Sequence, residues 1–584
     1  MYVRNILLIL VTVSLLSSCQ KGFLDRLPES DAAPQTFFKS ERDLQIYTNQ
    51  FYGFLPEEDI VTADFVSDNV NTSAVPDILT GNRPVPLAAT AAGWTWTDLY
   101  KINYFLEHYN QYETLIPAEA LAHYSGVARF FRAEFYFKKL IRFGDVPFYN
   151  KPLNESGPEL FKGRDPRTLI VDSILADLDY AARTMRGPLA ATKTTLVNKW
   201  TAYALKARIC LFEASFRKYH PEFNLQASAD DLYVKAAVAA KEVMNSGVYK
   251  LNKGNAQSVY LDMFSSKTPN ADEYILSVLF STSIAKAHAL NGIFLTGTRG
   301  NPGITKSMMD SYLLSNGQPF SSVSGYDTLP FWKEVAGRDP RLSQTVRTPG
   351  YRRIGAAPSA SALAPDYLNA PTGYQNIKFV SGITEDAASY TAIPLIRFAE
   401  LLLIYAEAKA ELGQLTQAEA DASVNLIRER AGVPRMKIDA IVDDPQLSAL
   451  YAGVTDKRIL EVRRERRVEL VMEGQRYNDL IRWKQGRLLM MKFKGAYFPG
   501  KGFFDLDQDG KNDILIADNR PTPLPAGVQV YPLNPGKALS ESIKGNIIVN
   551  NNINKVFRED RDYLYPLPID ELTLNKNLTQ NPNW

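Results

Sequence analysis

Residues 124 to 150 read YSGVARFFRAEFYFKKLIRFGDVPFYN, a run in which Phe130, Ala133, Phe137, Leu140 and Ile141 recur at helical spacing. Phe131 and Phe135 widen the apolar surface, so the spacing predicts a helix packed on more than one face. Ala133, small among large aromatics, gives a partner helix room to approach. Arg129, Arg132, Lys138, Lys139 and Arg142 can bury their stems and keep their charged ends in water. Gly144 stops the helix and Pro147 prevents its continuation. At about 1.5 Å per residue such a helix spans roughly 30 Å, the width of a small domain. It is the expected spine of a helical scaffold.

Working outward, a helix over 43–55 and another leading from Trp94, Trp96 and Tyr100 to Tyr109 precede the spine. Asp31 or Thr36 would cap the first. Amphipathic periodicity returns over 166–186, 197–217 and 230–246, then over 394–412, 415–431, 457–474 and 475–485. These helices come in pairs with alternating large and small apolar positions, as in tetratricopeptide-like stacks, but without their fixed repeat of about 34 residues. The stretches 57–100 and 255–390 lose periodicity and collect Gly, Pro, Ser and Asn around one expected strand at 274–280. The expected fold is therefore mostly α: a tetratricopeptide-like helix-pair scaffold at about 119–250 and 394–485, with an irregular, loop-rich ligand lobe at 57–100 and 255–390 carrying few short strands. The segment 486–584 reads as loops, and 43–584 as a single unit.

The 584 residues are 45% hydrophobic and 22% charged, with a formal net charge of +2, which leaves no basic field for a nucleic-acid backbone. There are two cysteines. Cys210 sits in an apolar helical run and reads as a small buried residue. Cys19 ends a leader in which Arg4 precedes an apolar run and small residues, a secretion signal over 1–18 too short for an ordinary membrane span. Leu16-Ser17-Ser18-Cys19 resembles a bacterial lipobox, in which the chain is cut before the cysteine and the thiol is lipidated. Residues 19–42 would then be a lipidated tether.

Several blocks in order resemble the SusD/RagB family of outer-membrane nutrient-binding lipoproteins. They are Cys19 with Phe23-Leu24-Asp25 and Pro28; Arg132-Ala133 running into Phe143-Gly144-Asp145-Val146-Pro147; Arg397-Phe398-Ala399-Glu400; Tyr405-Ala406-Glu407-Ala408; and Ile427-Arg428-Glu429-Arg430-Ala431-Gly432. Glu465-Arg466-Arg467-Val468-Glu469-Leu470 follows, leading to Glu473-Gly474-Gln475-Arg476 and Asp479-Leu480-Ile481-Arg482-Trp483, and Tyr565-Pro566-Leu567-Pro568 through Asn581-Pro582-Asn583-Trp584 completes the set. Read physically, Arg397 with Glu400, or Arg466 with Glu469, lie one turn apart and are expected to pair. The run Arg463 to Arg467, with its interleaved glutamates, reads as a solvated or paired helix face.

The four histidines form no zinc-binding pair, and no nucleophile elbow or phosphate-binding glycine loop occurs. The chain is read as a non-enzyme without a cofactor, except that Asp505, Asp507, Asp509 and Asp513 around Gly510 have the alternate acids of a calcium loop. Ile516 stands where such a loop of the EF-hand type needs a bidentate carboxylate, and a turn held by Asx hydrogen bonds is the competing reading. A sugar site needs an aromatic platform with polar side chains around it. Asp68, Asn69, Arg83, Trp94 and Trp96 come nearest to that set, with Tyr326 and Trp332 as second-loop members.

The resemblance implies an outer-membrane, cell-surface lipoprotein that binds glycan and delivers it to a TonB-dependent SusC-like transporter. Peptide cargo of the RagB type is the alternative, and a surface glycoside hydrolase, needing two carboxylates about 5 to 10 Å apart, is a third reading.

Overall fold

The computed structural model describes residues 37–154, 157–297, 299–357 and 359–584. Cys19, the leader and most of the tether lie outside them, as do Asp31 and Thr36. The first described helix, α1 (Glu41–Asn49), is instead capped by Ser40, whose hydroxyl accepts from the Asp43 amide while the Asp43 carboxylate accepts from Ser40. α2 (Thr97–His108) leads to the spine, α3 (Ala118–Phe143), which ends at Gly144 as its sequence predicts. α4 (Arg167–Thr184) packs along α3, and α5 (Lys199–Tyr219) and α6 (Ala229–Asn245) form the next pair. α7 (Val259–Ser265) lies in the second lobe. The scaffold resumes with α8 (Phe398–Glu411), which packs on α6, followed by α9 (Val424–Ala431), α10 (Lys457–Glu469) and α11 (Arg476–Arg482). The mostly helical, tetratricopeptide-like architecture is as the periodicity predicts.

Two charges on the spine depart from the snorkelling expectation. Arg132 is buried and grips Asp177 of α4 through Nε and Nη2 at 2.6 and 2.7 Å, while Lys139 is buried against the carbonyl of Gly93. Long cations end in water only where no buried partner lies within reach, and here α4 and the loop before α2 supply partners.

Among the strands, β1 (Val70–Asn71) pairs antiparallel with β3 (Gly303–Ile304), and β2 (Tyr274–Val278) pairs antiparallel with β4 (Ile393–Arg397). The start of the helix expected at 394 is thus a strand, because Ile393 to Ile396 complete the ladder begun by Tyr274. The helix expected over 415–431 is broken at Ser423, which leaves helical geometry at φ −140°, ψ −98°.

The C-terminal region is more ordered than its sequence suggests. β5 (Lys494–Phe498), β10 (Gly545–Val549) and β9 (Lys537–Leu539) make one antiparallel sheet. β6 (Gly502–Phe504), β7 (Ile514–Ala517) and β8 (Gln529–Pro532) make a second. Their buried Ala496, Phe498, Ile514, Ile516, Tyr531 and Ile547 join Tyr260, Phe264, Met308, Tyr374 and Phe379 in one apolar core, separate from the core of the helix pairs. The second lobe therefore includes this region together with much of 255–390 and with Val61 and Val70, while Ile78, Leu79, Ala92 and Trp94 of the stretch 57–100 pack into the helix-pair core.

The two lobes meet across α10, whose Arg463, Arg464, Glu465, Arg466, Arg467 and Glu469 are all buried. None is a solvated face. Arg397 pairs with Glu273, Glu469 and Glu473 rather than with Glu400, which binds Arg208. Arg466 pairs with Asp479, while Glu469 takes Arg341, Arg397 and Arg430. The expected one-turn pairs do not form because each guanidinium reaches a carboxylate of another element. Burial pushes the Glu469 carboxyl up, but its three arginines outweigh that and hold it far below the carboxylate range.

Candidate functional site

The aromatic and polar residues singled out in the sequence separate into structural and cavity-lining groups. Asp68, at the lobe junction, is buried and accepts from Arg476 Nε at 2.7 Å and Arg467 Nη2 at 3.0 Å. Burial raises its carboxyl, and the two guanidinium groups bring it back down to about 2. Asn69 is buried beside it, giving its side-chain oxygen to Arg467 Nε and its amide to Asp64. Arg83 lies over the rings of Tyr565 and Trp584, 4.2 and 5.1 Å from their centroids, and pairs with Asp562. It anchors the C-terminal Tyr-Pro motif rather than facing solvent. Trp94 is 2% exposed and stands edge-on to Phe143 at 4.9 Å. These four are corrections to the platform expectation: a Trp followed by a helix, or an Asp in a polar loop, looks alike in sequence whether it faces solvent or a distant arginine.

Two cavities are lined by residues singled out in the sequence. Half-buried Trp96 lines the first, of about 370 Å³, with Tyr100, Asn103, Tyr149, Lys151 and Leu160. Its ring rests edge-on against Trp94 at 5.3 Å and Tyr149 at 5.6 Å.

The second cavity, of about 320 Å³, lies at the junction of the lobes. Tyr326 sits on the 3-10 turn Tyr326–Thr328 and packs edge-on to Phe320 at 5.7 Å. Lys306 Nζ lies 5.4 Å from both ring centroids. Lys306 opens a short helix capped by Thr305 and is neutralised by Asp310 and Glu334. Asp310 also accepts from Gln446 Nε2 at 2.9 Å. The opposite wall is the run Arg487 to Lys494, including Lys492 and Phe493, with Asn546 of β10 closing it. Phe493 carries Lys555 Nζ 3.0 Å from its ring centroid. That ammonium has no hydrogen-bond partner, and burial pulls its pKa down to about 7 against the opposing charge of Asp68.

Asp68 and Tyr326 are thus brought to one cavity, Asp68 as its paired floor. Trp332, half-buried on the short helix Phe331–Glu334, lines neither cavity. Sequence reasoning missed Lys306, Gln446, Arg487, Phe493 and Asn546. The alternation Lys492-Phe493-Lys494 was the available signal, since period 2 marks the start of a strand with one aromatic inside.

The acidic loop connects β6 to β7. Carboxylate oxygens of Asp505, Asp507 and Asp513 lie within 4.8 Å of one another, a set able to hold a cation. Asp509 turns away to Lys511 at 3.0 Å, and Ile516 is buried in β7. Asp505 accepts from the amides of Asp507, Gln508 and Gly510, so Asx hydrogen bonds hold the turn. Burial, then the neighbouring acids, raise the Asp513 carboxyl.

Helix pairs in a tetratricopeptide-like array, with a loop-rich lobe and a mixed aromatic and polar cavity at their junction, define the class of this molecule. Residues 295–584 match the SusD family model. Two SusD-like proteins of Formosa agariphila, P25 and P38, are 24% and 23% identical over 537 and 523 residues, covering 83% and 84% of this chain and 90% and 92% of theirs. Two Bacteroides fragilis structures share the fold at a TM-score of 0.68. A SusD-like protein is 20% identical over 96% of this chain and all of its own; a SusD-like carbohydrate binding protein is 22% identical over 93% of this chain and all of its own. Over residues 295–584 the chain belongs to the SusD family.

Proposed function

We propose that this protein binds glycan at the Tyr326 cavity and delivers it to a TonB-dependent, SusC-like outer-membrane transporter, held at the cell surface by lipid on Cys19. The observation that carries the reading is the composition of that cavity. Tyr326 and Phe493 offer apolar surface, and Gln446, Asn546, Lys492 and Arg487 offer donors and acceptors around it, within a volume in the range of about 300 to 1,000 Å³ usual for ligand sites. A sugar presents flat C–H faces and a rim of hydroxyls, which such a lining matches. Similarity to a carbohydrate binding protein of the same fold supports it.

A binding role without turnover is supported by the state of two of the three cavity acids. Glycoside hydrolysis needs one carboxyl that stays protonated near neutral pH. Asp68 is held near 2 by its arginines, and Asp310 is engaged by Lys306 and Gln446. Among the described residues no helix is long and apolar enough to cross a membrane, and anchoring is assigned to lipid on Cys19.

The test is calorimetric titration of the full-length protein with oligosaccharides and peptides, with product analysis of the same samples. Glycan binding without turnover, weakened by Tyr326→Ala, is expected. Peptide binding alone would replace the cargo, and released product would replace the role. Cys19→Ala is expected to release the protein from the membrane fraction.

A further inference from the structure

The wall of the Tyr326 cavity carries more positive than negative charge once its internal pairs are set aside. Asp68 is taken by Arg467 and Arg476, and Lys306 by Asp310 and Glu334. Arg487 Nη2 donates to the carbonyls of Leu450 and Ala449 at 2.6 and 3.4 Å, and Lys492 Nζ donates to the Asn551 amide oxygen at 3.1 Å. Neither they nor the exposed Lys494 form an ion pair among the described residues, and of the lining acids only Asp327 is left without a cationic partner there. Behind the Phe493 ring lies Lys555, whose ammonium is buried without a hydrogen-bond acceptor.

A neutral sugar does little to relieve this imbalance. Each ammonium gives up tightly held water for a hydroxyl of no net charge. A carboxylate or sulfate ester instead makes charge-assisted hydrogen bonds, about twice as strong as neutral ones. In a partly desolvated cavity the attraction to a cation is also stronger than in bulk water. An anion beside Phe493 would further offset the desolvation of Lys555, which nothing in its present surroundings fully balances.

We propose that the ligand of this cavity is an acidic saccharide, bearing carboxylate or sulfate groups that are received by Arg487, Lys492 and Lys494 while Tyr326 supports the sugar face. The proposal rests on the glycan-binding reading above and deepens it. Uronates and sulfated sugars share the chemistry, and the choice between them is an outcome of the test.

The experiment is calorimetry on the full-length protein with matched pairs that keep the backbone and change the charge: polygalacturonate with its methyl ester, and dextran sulfate with dextran. A panel of neutral oligosaccharides is titrated alongside. The acidic member of at least one pair is expected to bind about tenfold or more tightly than its neutral partner, and more weakly as sodium chloride is raised. Lys492→Ala with Lys494→Ala is expected to remove about tenfold of that affinity. Lys235→Ala with Lys250→Ala, an equal charge change on exposed residues of the scaffold side, is expected to leave it unchanged. An equal loss in both double variants would mark non-specific attraction and overturn the proposal. Neutral glycan bound as well as acidic, sensitive to Tyr326→Ala but not to the Lys492 and Lys494 changes, would overturn the acidic ligand and leave glycan binding standing. Binding to no member of the pairs or the panel would overturn both.

Discussion

Asp68 and Arg476 meet fork to fork, Nε to Oδ1 at 2.7 Å and Nη2 to Oδ2 at 2.9 Å, although 408 residues separate them in the chain. Arg467 Nη2 adds a third bond to the same carboxylate at 3.0 Å, and all three side chains are buried. This ties the turn just before β1 to the end of α10 and the start of α11. Removing one member of a buried cluster leaves the others charged and unpaired, at a cost of about 3 to 5 kcal/mol. Asp68→Ala is expected to lower the unfolding free energy by that amount, read as a lower urea midpoint at unchanged slope, with Asp68→Asn less severe because one oxygen acceptor is kept. A loss below about 1 kcal/mol would contradict the structural role.

Acid should unfold the protein in two stages. Burial, and then the Arg186 charge, push the His123 imidazole down to about 4, and its Nδ1 accepts from the Arg186 amide at 3.2 Å. Its contribution is complete above the unfolded value of about 6.5 and is lost as pH falls toward the folded one. Asp68, at about 2, contributes fully above its unfolded value near 4 and loses that contribution as pH falls through the folded value. Urea midpoints measured from pH 7 to pH 2 are expected to fall across both windows. His123→Gln should flatten the upper window alone.

Gly474, in the Glu473-Gly474-Gln475-Arg476 block, adopts φ +71°, and a Cβ there would stand 2.6 Å from the Ile60 carbonyl oxygen. Both the left-handed backbone and the close approach of another main chain require glycine. Gly474→Ala is expected to cost about 2 to 4 kcal/mol, since backbone cannot yield as a side chain can. Thermal unfolding of the variant checks this. A change below about 0.5 kcal/mol would show that the turn relaxes freely.

The scaffold was legible because its signal is local. Phe130, Ala133 and Phe137 repeat on one helix, and the helix they predict, Ala118–Phe143, is the one that forms. The partners of Arg397 and Arg466 were not, because an ion pair is chosen by what packs nearby, and Glu473 and Asp479 come within reach only after folding. The same holds for the site. Asp68 looks like a solvent-facing ligand group until Arg467 and Arg476 arrive from the far end of the chain. Phe493 lies just before β5, which pairs with β10 across forty or more residues, Tyr497 with Asn546 and Lys494 with Ile548, which no short window reveals.

Trp94 and Tyr326 separate the two roles an aromatic can have here. Trp94 is enclosed by Trp96 and Phe143, so Trp94→Ala opens a void in the helix-pair core and is expected to cost about 3 to 5 kcal/mol without altering glycan affinity in the protein that stays folded. Tyr326 is half-buried at a cavity wall, where removal of its ring exposes little core. Tyr326→Ala is expected to leave the unfolding free energy within about 1 kcal/mol of the parent while weakening glycan binding about five- to tenfold. Trp96→Ala stands between them: its ring supports Trp94 and Tyr149 and lines only the first cavity, so it should lower stability and leave affinity intact. Calorimetric titration and urea unfolding on the same three variants decide the matter. Affinity lost in Trp96→Ala and kept in Tyr326→Ala would move the site to the cavity between Trp96 and Tyr149, whose single lysine, Lys151, offers no comparable cationic wall.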